Sequence, residues 1–462
     1  MKILLVTHGF PPHQTAGTES YAADLGVEWL RRGHAVRVFS ARKDISRREG
    51  SLVVREWRGL VVHEITNNLS HERFEETYSN ARIEAPFVEL LREFAPDVVH
   101  VQHLLYLSSG CITAAKAAGA SVVFTLHDFW LQCPRLGQRV HADGGLCDRL
   151  DFSRCGTCLT RFKWKNSKLE RVVGGMIAEL KGGTGIDLAP LARATAKRIP
   201  HAGTRPTEPE ELAAEFARAA EERTRFLRER IVPAVDLFIA PSQFLRERFI
   251  TEWKLAPAHI EHVRFGLDAR VERTPRASGA PLRVAFIGSL VPLKGAHVLV
   301  DAWSRIDPAL RAQGELVLYG PSRHHPEYQA DLARAAAACG AKIGGLLERD
   351  RVIQVLAATD LLVVPSLWFE NAPLVILEAL AARTPLLVSD LGGMKELVER
   401  GVSGQHFAMG DVEDLSAKLK AALSDKLGLE QLYAHAQVIP SFAEHADVVE
   451  ARYRSLRAAT RS

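Results

Sequence analysis

The sequence predicts an α/β protein with two doubly wound, Rossmann-like domains, each a parallel sheet covered by helices. Short apolar strands alternate with segments of helical periodicity in both halves of the chain, and 462 residues are enough to bury two cores. With 47% hydrophobic and 25% charged residues, the composition fits a folded globular chain rather than a disordered one. Because such sheets bind ligands at the carboxyl ends of their strands, we expect the two domains to face each other across a cleft.

The first half opens with a strand, a helix and a second strand, predicted at residues 2–8, 18–32 and 35–40. The alternation continues with a hairpin at residues 53–65 and helices at residues 72–94 and 112–118. Further strands are predicted at residues 97–101, 121–126 and 236–242. We assign residues 1–270 to the N-terminal domain. Residues 131–231 break the pattern with a cysteine-bearing loop and a polar helical stretch, which predicts an insertion.

A segment rich in charge, proline and glycine at residues 271–281 is predicted to be the linker between the domains. The second half then repeats the alternation, with strands predicted at residues 283–287, 315–319, 361–365 and 385–389 and a helix after each. We assign residues 282–435 to the C-terminal domain and residues 436–462 to a C-terminal helical segment.

Charge and hydropathy exclude several classes of partner. A net charge of +4 over this length gives no reason to expect nucleic-acid binding. The first seven residues hold one positive charge and an apolar run too short for a signal peptide, so they indicate a core strand. No apolar run reaches the roughly 18 residues of a membrane span. We therefore expect a cytoplasmic protein that contacts a membrane at most at its inner face.

Two glutamates lie eight residues apart where a buried strand leads through a loop into a helix. Glu370 follows the apolar strand 361–365, and Glu378 lies in an Ala/Leu-rich helix, where a buried carboxylate needs a partner. This helix is predicted to begin near Ala372 or Pro373, so its free N–H groups suit an anion in the loop. Carboxylates for hydroxyl groups, together with a helix N-terminus for a phosphate, predict a nucleotide-sugar site.

This segment resembles the Glu-x7-Glu motif of the retaining glycosyltransferases of family 4, which have the GT-B fold. The order of elements over residues 282–414 follows the donor-binding domain of that family, and residues 1–130 resemble its acceptor-binding domain. The resemblance implies that Glu370 contacts hydroxyl groups of the donor sugar and that Glu378 binds the ribose. It further implies that a run of loop residues lies along the sugar and the diphosphate, namely Asn371, Ala372, Pro373 and Leu374.

A second loop, from Gly288 to Gly295, follows the strand 283–287 and suits a pyrophosphate. Gly288 lets the backbone approach the phosphates, and Lys294 supplies a mobile positive charge. The family usually has arginine where this chain has Ser289, so the resemblance implies that Lys294 supplies more of the neutralisation. An ordinary strand-to-helix loop is the alternative interpretation.

In the N-terminal half, Gly17, Thr18 and Glu19 resemble the loop of the family that approaches the acceptor, although the second of two common glycines is Thr18 here. No G-x-G-x-x-G occurs in this loop, which argues against a dinucleotide-binding dehydrogenase. His127 follows the strand 121–126 and resembles the family histidine beside the reacting centre, with Asp128 expected to fix its orientation. A structural histidine with its bonds satisfied is the alternative.

The insertion begins with the thiols of Cys133, Cys147, Cys155 and Cys158, spaced C-x13-C-x7-C-x2-C. In a reducing compartment this spacing favours a structural zinc site, with free thiols and disulfides as the alternatives. Residues 161–198 hold nine basic residues against three acidic ones. They fit either a contact with a membrane surface or an anionic acceptor, or a solvated helical insertion.

Residues and resemblance together predict a retaining glycosyltransferase that moves a sugar from a nucleoside-diphosphate sugar to a hydroxyl group of a glycan or lipid-linked acceptor. Surface-polysaccharide or glycolipid assembly is the implied setting. The resemblance assigns the catalytic roles to His127, Glu370 and Lys294 and implies that no catalytic metal ion is needed. A nucleotide-sugar 2-epimerase of the same fold and a non-catalytic nucleotide-sugar-binding scaffold are the alternatives.

Overall fold

The computed structural model describes residues 1–184, 209–268, 271–274, 277, 279–321, 325–432 and 439–461. Parts of the predicted insertion (185–208), of the linker (275, 276 and 278) and of the C-terminal segment (436–438 and 462) lie outside the described residues. The chain divides into two compact units. The first comprises Met1–Ala240, Phe249–Glu261 and Val448–Ser462, and the second comprises Pro241–Arg248 and His262–Asp447.

The first unit is built on eight strands: β1 (Lys2–Thr7), β2 (Ala35–Arg42), β3 (Leu52–Trp57), β4 (Leu60–Thr66), β5 (Val98–Val101), β6 (Ser121–Thr125), β7 (Leu237–Ala240) and β8 (Ile260–His262). Their order in the sheet is β3-β4-β2-β1-β5-β6-β7-β8. The strands from β4 to β7 in that order pair in parallel, and β3 forms an antiparallel hairpin with β4. The central strands β5, β6 and β7 are fully buried, which explains their unbroken apolar runs.

Six helices accompany this sheet: α1 (Gly17–Arg31), α2 (Ala81–Phe94), α3 (Gly110–Ala117), α4 (Phe152–Thr160), α5 (Lys168–Thr184) and α6 (Pro209–Phe226). The helix predicted at residues 72–94 is interrupted, because Asn80 caps α2 by accepting a hydrogen bond from the backbone of Arg82. Within the insertion, α4 and α6 pack closely: a Cβ on Gly156 would lie 2.1 Å from the carbonyl oxygen of Ala213.

The second unit contains six parallel strands: β9 (Leu282–Ile287), β10 (Gly314–Tyr319), β11 (Lys342–Gly345), β12 (Leu361–Val364), β13 (Leu386–Ser389) and β14 (Gly404–Phe407). The order β11-β10-β9-β12-β13-β14 is that of a doubly wound nucleotide-binding sheet. It reverses between β9 and β12, and this switch point is where such sheets bind ligands.

The remaining helices are α7 (Gln243–Thr251), α8 (Ala296–Ser304), α9 (Pro308–Arg311), α10 (Pro326–Ala338), α11 (Arg349–Ala357), α12 (Leu374–Ala381), α13 (Gly392–Leu397), α14 (Val412–Ser424), α15 (Lys426–Gln431) and α16 (Phe442–Arg461). The core of the second unit lies where α8 and α14 meet the sheet, around Trp303 and Leu419. No helix in the described part of the chain is long and apolar enough to cross a membrane.

The compact units differ from the predicted boundaries near residue 270 and at the end of the chain. Residues 262–268 lie in the second unit, where the backbone N–H of Leu267 bonds the carbonyl of Pro440. The last part of α16 belongs to the first unit. There Glu450 pairs with Arg32 at 2.9 Å, and the buried hydroxyl of Tyr453 is hydrogen-bonded to His100 at 2.5 Å. Such long-range pairs leave no local signal in the sequence.

Candidate functional site

The strongest candidate site lies beyond the carboxyl ends of β9 and β12, at the switch point of the second sheet. Lys294 is in the loop after β9 and Glu370 is in the loop after β12. The lysine Nζ lies 2.5 Å from Glu370 Oε1. Two residues predicted separately from the sequence, 76 positions apart, are therefore in direct contact.

One oxygen of the Glu370 carboxylate is fixed by three donors. Besides Lys294, the Ser366 hydroxyl donates to Oε1 at 2.9 Å and the Trp368 indole N–H donates at 2.8 Å. The Lys294 ammonium also lies 5.4 Å from the centroid of the Trp368 ring. Glu370 is 7% exposed, and its Oε2 has no hydrogen-bond partner among the residues that the structure describes. Oε2 is therefore the atom available to a ligand hydroxyl.

Glycines let the two loops and the start of α13 approach each other closely. Gly295 has a φ of 71°, and a Cβ there would lie 1.9 Å from the carbonyl oxygen of Pro365. The N–H of Gly393 donates to the carbonyl of Glu370 at 2.8 Å, and a Cβ on Gly393 would lie 1.7 Å from the carbonyl oxygen of Asn371. The backbone thus holds the Glu370 loop in place independently of its side chain.

Glu378 lies on α12, in the helix that follows the Glu370 loop. Its side chain is largely buried, and this burial raises its pKa from 4.5 to about 7, although the positive charge of Arg349 opposes the shift. No hydrogen bond to its carboxylate occurs within the described ranges of the chain. The helix begins at Leu374 with the extended residue Pro373 as its N-cap, slightly later than predicted, and no side chain caps its N-terminus.

Gly288 and Ser289, predicted to lie along a pyrophosphate, follow directly after β9. The Gly288 N–H donates to the carbonyl of Tyr319 at 3.0 Å, and its own carbonyl is so close to Gly320 that a Cβ there would lie 1.8 Å away. The turn after β9 is therefore held by the neighbouring strand β10. Ala372 and Pro373 lie in the loop between Glu370 and α12, as predicted.

In the first unit, four titratable side chains form a chain of contacts at the carboxyl ends of β1, β5 and β6. Glu19 is 4% exposed and pairs with His8 at 3.1 Å. The rings of His8 and His103 are 4.4 Å apart, and His103 Nε2 lies 2.9 Å from a carboxylate oxygen of Asp128. Glu19 was predicted as part of an acceptor loop with Gly17 and Thr18, which begin α1. Its side chain is buried against His8.

His127 is hydrogen-bonded to the side-chain oxygen of Gln102 at 2.9 Å and packs edge-on against Tyr21. Burial holds its pKa well below the usual value, so the imidazole is neutral. Because the Gln102 oxygen can only accept, the His127 Nε2 donates. The expectation that Asp128 orients His127 is wrong, since Asp128 is bonded to His103 and to the backbone N–H of Trp130.

Sequence reasoning missed several members of these sites. Ser366 and Trp368 donate hydrogen bonds to Glu370. The sequence feature that could have identified them is their position, as side chains with donor groups between the end of β12 and the glutamate. His8, Gln102 and His103 were also missed. Each lies within two residues of the carboxyl end of β1 or β5, where a parallel sheet binds its ligands.

The four cysteines of the insertion are buried and none of them is in a disulfide. Burial raises the pKa of Cys147 to about 11 and that of Cys155 to about 12, and the neighbouring thiols contribute to both shifts. The Sγ of Cys158 lies 3.7 Å from His141 Nδ1. Among the described residues, no three His, Cys, Asp or Glu side chains are placed so that they could hold a metal ion. The zinc site on Cys133, Cys147, Cys155 and Cys158 stays a prediction.

We expect the purified protein to contain about one zinc ion per chain if the thiols close around a metal, because four thiolates make a complete tetrahedral site. Metal analysis by mass spectrometry should show that Cys155→Ser loses this zinc and that Cys111→Ser keeps it. Cys111 is a suitable control because it is a buried cysteine of α3, outside the insertion. A metal-free native protein whose thiols all titrate in denaturant would contradict the prediction.

Comparison with known proteins identifies both units. The model of the family "Glycosyltransferase Family 4" matches residues 15–156, and the model of "Glycosyl transferases group 1" matches residues 272–437. A D-inositol 3-phosphate glycosyltransferase of Nocardia farcinica is 34% identical over 168 residues, which cover 34% of this chain and 36% of that protein. A glycogen synthase of Mycobacterium tuberculosis is 31% identical over 173 residues, which cover 36% of this chain and 41% of that protein. The chain thus spans less than half the length of these two relatives.

Solved structures resemble the chain over nearly its whole length. The Anabaena protein HepE, crystallised with UDP and glucose, has a TM-score of 0.59 at 17% identity and covers 98% of this chain and 100% of its own. WaaG, a glycosyltransferase involved in lipopolysaccharide biosynthesis, has a TM-score of 0.57 at 15% identity and covers 98% of this chain and 99% of its own. With a glycosyltransferase model matching in each half and this fold along the whole chain, the protein belongs to glycosyltransferase family 4 and has the GT-B fold.

Proposed function

We propose that the protein transfers a sugar from a nucleoside-diphosphate sugar to a hydroxyl group of an acceptor, with retention of the anomeric configuration. The observation that carries the proposal is the contact between Lys294 and Glu370 at the switch point of the second sheet. Glu378, on the helix α12 after the Glu370 loop, adds a second carboxylate that accepts no hydrogen bond from the described residues. A cation for the diphosphate is thereby placed beside two carboxylates that can accept hydrogen bonds from hydroxyl groups.

Each group has a distinct role in this proposal. The Lys294 ammonium and the uncapped N-terminus of α12 stabilise the diphosphate as the bond between the anomeric carbon and its phosphate oxygen breaks. Glu370 orients the sugar through Oε2, and Glu378 accepts from the ribose hydroxyls. The acceptor oxygen bonds to the anomeric carbon on the same face, and its proton passes to the leaving diphosphate. On the first unit, we assign His127 to the reacting sugar: its Nε2 hydrogen is donated to Gln102, so the neutral ring would act through Nδ1 as an acceptor for a sugar hydroxyl.

The nature of donor and acceptor belongs to the same proposal. HepE was crystallised with UDP and with UDP-glucose, so a UDP-sugar is the first donor to test. The relation to WaaG favours a glycan or lipid-linked acceptor and a role in surface-polysaccharide or glycolipid assembly in the cytoplasm, at the inner face of the membrane. No catalytic metal ion is included in this proposal, and the binding experiment is therefore done with a chelator.

Calorimetric titration of the protein with UDP, ADP and GDP in the presence of a chelator tests the donor site. We expect one nucleotide to bind and Glu378→Ala to weaken that binding at least about tenfold, because the two ribose hydroxyls lose a charged acceptor. Glu327→Ala is the matched control, since Glu327 is an exposed carboxylate on α10 of the same unit.

The outcome separates the alternatives. Failure of all three nucleotides to bind would contradict the donor site and favour a scaffold without catalysis. Binding of UDP together with release of an epimerised free sugar in the absence of acceptor would contradict glycosyl transfer and favour a nucleotide-sugar 2-epimerase.

A further inference from the structure

A pocket lies entirely in the first unit, beyond the carboxyl ends of four strands of its sheet. Its lining includes one side chain from each segment that follows β2, β4, β5 and β6, namely Lys43, His71, Tyr106 and Trp130. The carboxyl edge of a parallel sheet is where ligands of doubly wound domains bind. The pocket therefore occupies the position of a ligand site. It lies in the first unit, whereas the candidate donor site lies in the second.

A buried guanidinium forms part of this pocket. Arg223 reaches it from α6, is 2% exposed and donates to the backbone carbonyls of Trp130 at 2.6 Å and Leu131 at 3.2 Å. It makes no ion pair with a carboxylate in the part of the chain that the structure describes. Its guanidinium also lies 4.7 Å from the centroid of the Trp130 ring and 5.7 Å from that of Tyr78. These neutral groups offset part of the cost of burying the cation, and an anion in the pocket would supply the missing counter-charge.

The nearby acidic side chain is already engaged. The negative charge of Asp128 favours the charged form of Arg223. Its two carboxylate oxygens, however, accept hydrogen bonds from His103 and from the backbone N–H of Trp130. No carboxylate among the described residues therefore pairs directly with Arg223.

Aromatic residues form much of the rest of the lining, which also includes Lys163, paired with Glu170, and Lys43. Tyr106, Trp130, Phe162 and Trp164 present rings to the pocket, as expected of a surface on which a sugar ring packs. The exposed Lys43 holds its ammonium 3.9 Å from the centroid of the Tyr106 ring and has no carboxylate partner among the described residues. The pocket thus combines flat apolar faces with two cations that lack counter-ions.

We propose that this pocket binds the acceptor and that the acceptor carries a phosphate group next to a sugar ring. The inference rests on the proposed function, since it names the acceptor of that transfer. The phosphate would be held by Arg223 and Lys43, and the sugar would pack on the rings of Tyr106 and Trp130. A free sugar phosphate and a lipid-linked sugar diphosphate share this chemistry.

Calorimetric titration with glucose 1-phosphate and with glucose, in the presence of saturating UDP to fill the donor site, tests the proposal. We expect glucose 1-phosphate to bind and glucose to give no measurable heat. Lys43→Gln should weaken the binding of glucose 1-phosphate about tenfold, because a charge-assisted hydrogen bond is lost. Arg223→Gln should abolish it. Lys168→Gln, which removes an exposed lysine of the same unit outside the pocket lining, should bind as the unaltered protein does.

A second titration distinguishes the two sources of the phosphate. Farnesyl diphosphate-linked glucose in detergent micelles is compared with glucose 1-phosphate, and in either case binding must depend on Lys43. Tighter binding of the farnesyl compound supports a lipid-linked acceptor, and equal binding supports a free sugar phosphate. Because Arg223 is buried and its replacement can impair folding, the exposed Lys43 decides the result.

Equal binding of glucose and glucose 1-phosphate, or Lys43→Gln binding as tightly as the unaltered protein, would overturn the inference about the acceptor. These results leave the donor site untouched if a nucleotide still binds there and Glu378→Ala still weakens that binding. Failure of UDP, ADP and GDP alike to bind rejects the proposed function, and the titration of glucose 1-phosphate without nucleotide then still reports on the pocket.

Discussion

Replacing Lys294 with methionine should lower kcat for sugar transfer by about 10²- to 10³-fold, the loss typical when a preorganised charge is removed from a developing anion. The diphosphate gains negative charge as it departs, and Lys294 is the cation that the structure holds next to Glu370, 2.5 Å away. The apparent KM for the donor should change much less than kcat. The measurement is the initial rate of acceptor-dependent UDP release with the donor sugar that binds.

The geometry of the site should survive this substitution, which makes the result interpretable. Glu370 Oε1 keeps two donors, Ser366 and Trp368, and the loop is still held through its backbone bond to Gly393. A matched control is Lys342→Met, because Lys342 also forms an ion pair with a glutamate, Glu315, on the surface of the same unit. Equal losses in the two variants, or an unchanged kcat in Lys294→Met, would remove Lys294 from the catalytic role.

A double substitution tests whether Lys294 and Glu370 act as a unit. Glu370→Gln alone removes the charge that orients the sugar, and Glu370→Gln with Lys294→Met should cost far less than the product of the single losses. Contacting residues show such coupling, whereas distant residues are additive. Additive losses would mean that the ion pair is structural and that the two residues contribute separately.

The buried parallel strands were predictable because burial on both faces leaves an unbroken apolar run, as in β5, β6, β12 and β13. The strands β11 and β14 were not predicted from the sequence. Both lie at the edges of their sheet, and β11 is Lys-Ile-Gly-Gly with every residue exposed. Edge strands are specified by a partner on one side, and their local sequence carries little of that information.

Residues of the candidate site could be found singly, but their contacts could not. Glu370, Glu378 and Lys294 each follow from a local pattern, whereas the distance between Glu370 and Lys294 depends on β9 and β12 being neighbours. The partner of Asp128 illustrates the same limit. Its neighbour in sequence is His127, but its partner in space is His103, because consecutive residues after a strand turn to different sides. Strand order and side-chain direction are properties of the whole sheet.

Glu378→Gln should stabilise the ligand-free protein at pH 8 and have almost no effect on it at pH 5. Burial raises the Glu378 pKa from 4.5 to about 7, so the folded protein binds a proton that the unfolded chain has released. The contribution of Glu378 to stability is therefore fully present below the unfolded pKa and is lost as the pH rises from about 4.5 through about 7. The shift corresponds to roughly 3 kcal/mol of unfolding free energy at pH 8. Glutamine avoids this loss because it carries no charge.

Thermal unfolding of the unaltered protein and of Glu378→Gln at pH 5 and pH 8 measures the effect. Glu327→Gln is the control, because Glu327 is exposed on α10 and its replacement should leave the pH dependence unchanged. A lower melting temperature for Glu378→Gln at pH 8 would show that the carboxylate has a stabilising partner in the free protein.

Nucleotide binding would explain why Glu378 is a carboxylate even though its burial destabilises the free protein. A nucleotide whose ribose hydroxyls donate to Glu378 favours the charged form and so lowers the pKa that burial has raised. Binding near pH 6.5 should therefore release protons, and Glu378→Gln should bind weakly without this release. Calorimetry in two buffers of different ionisation enthalpy measures the number of protons. Proton uptake, or a release that persists in Glu378→Gln, would assign the ribose to another residue.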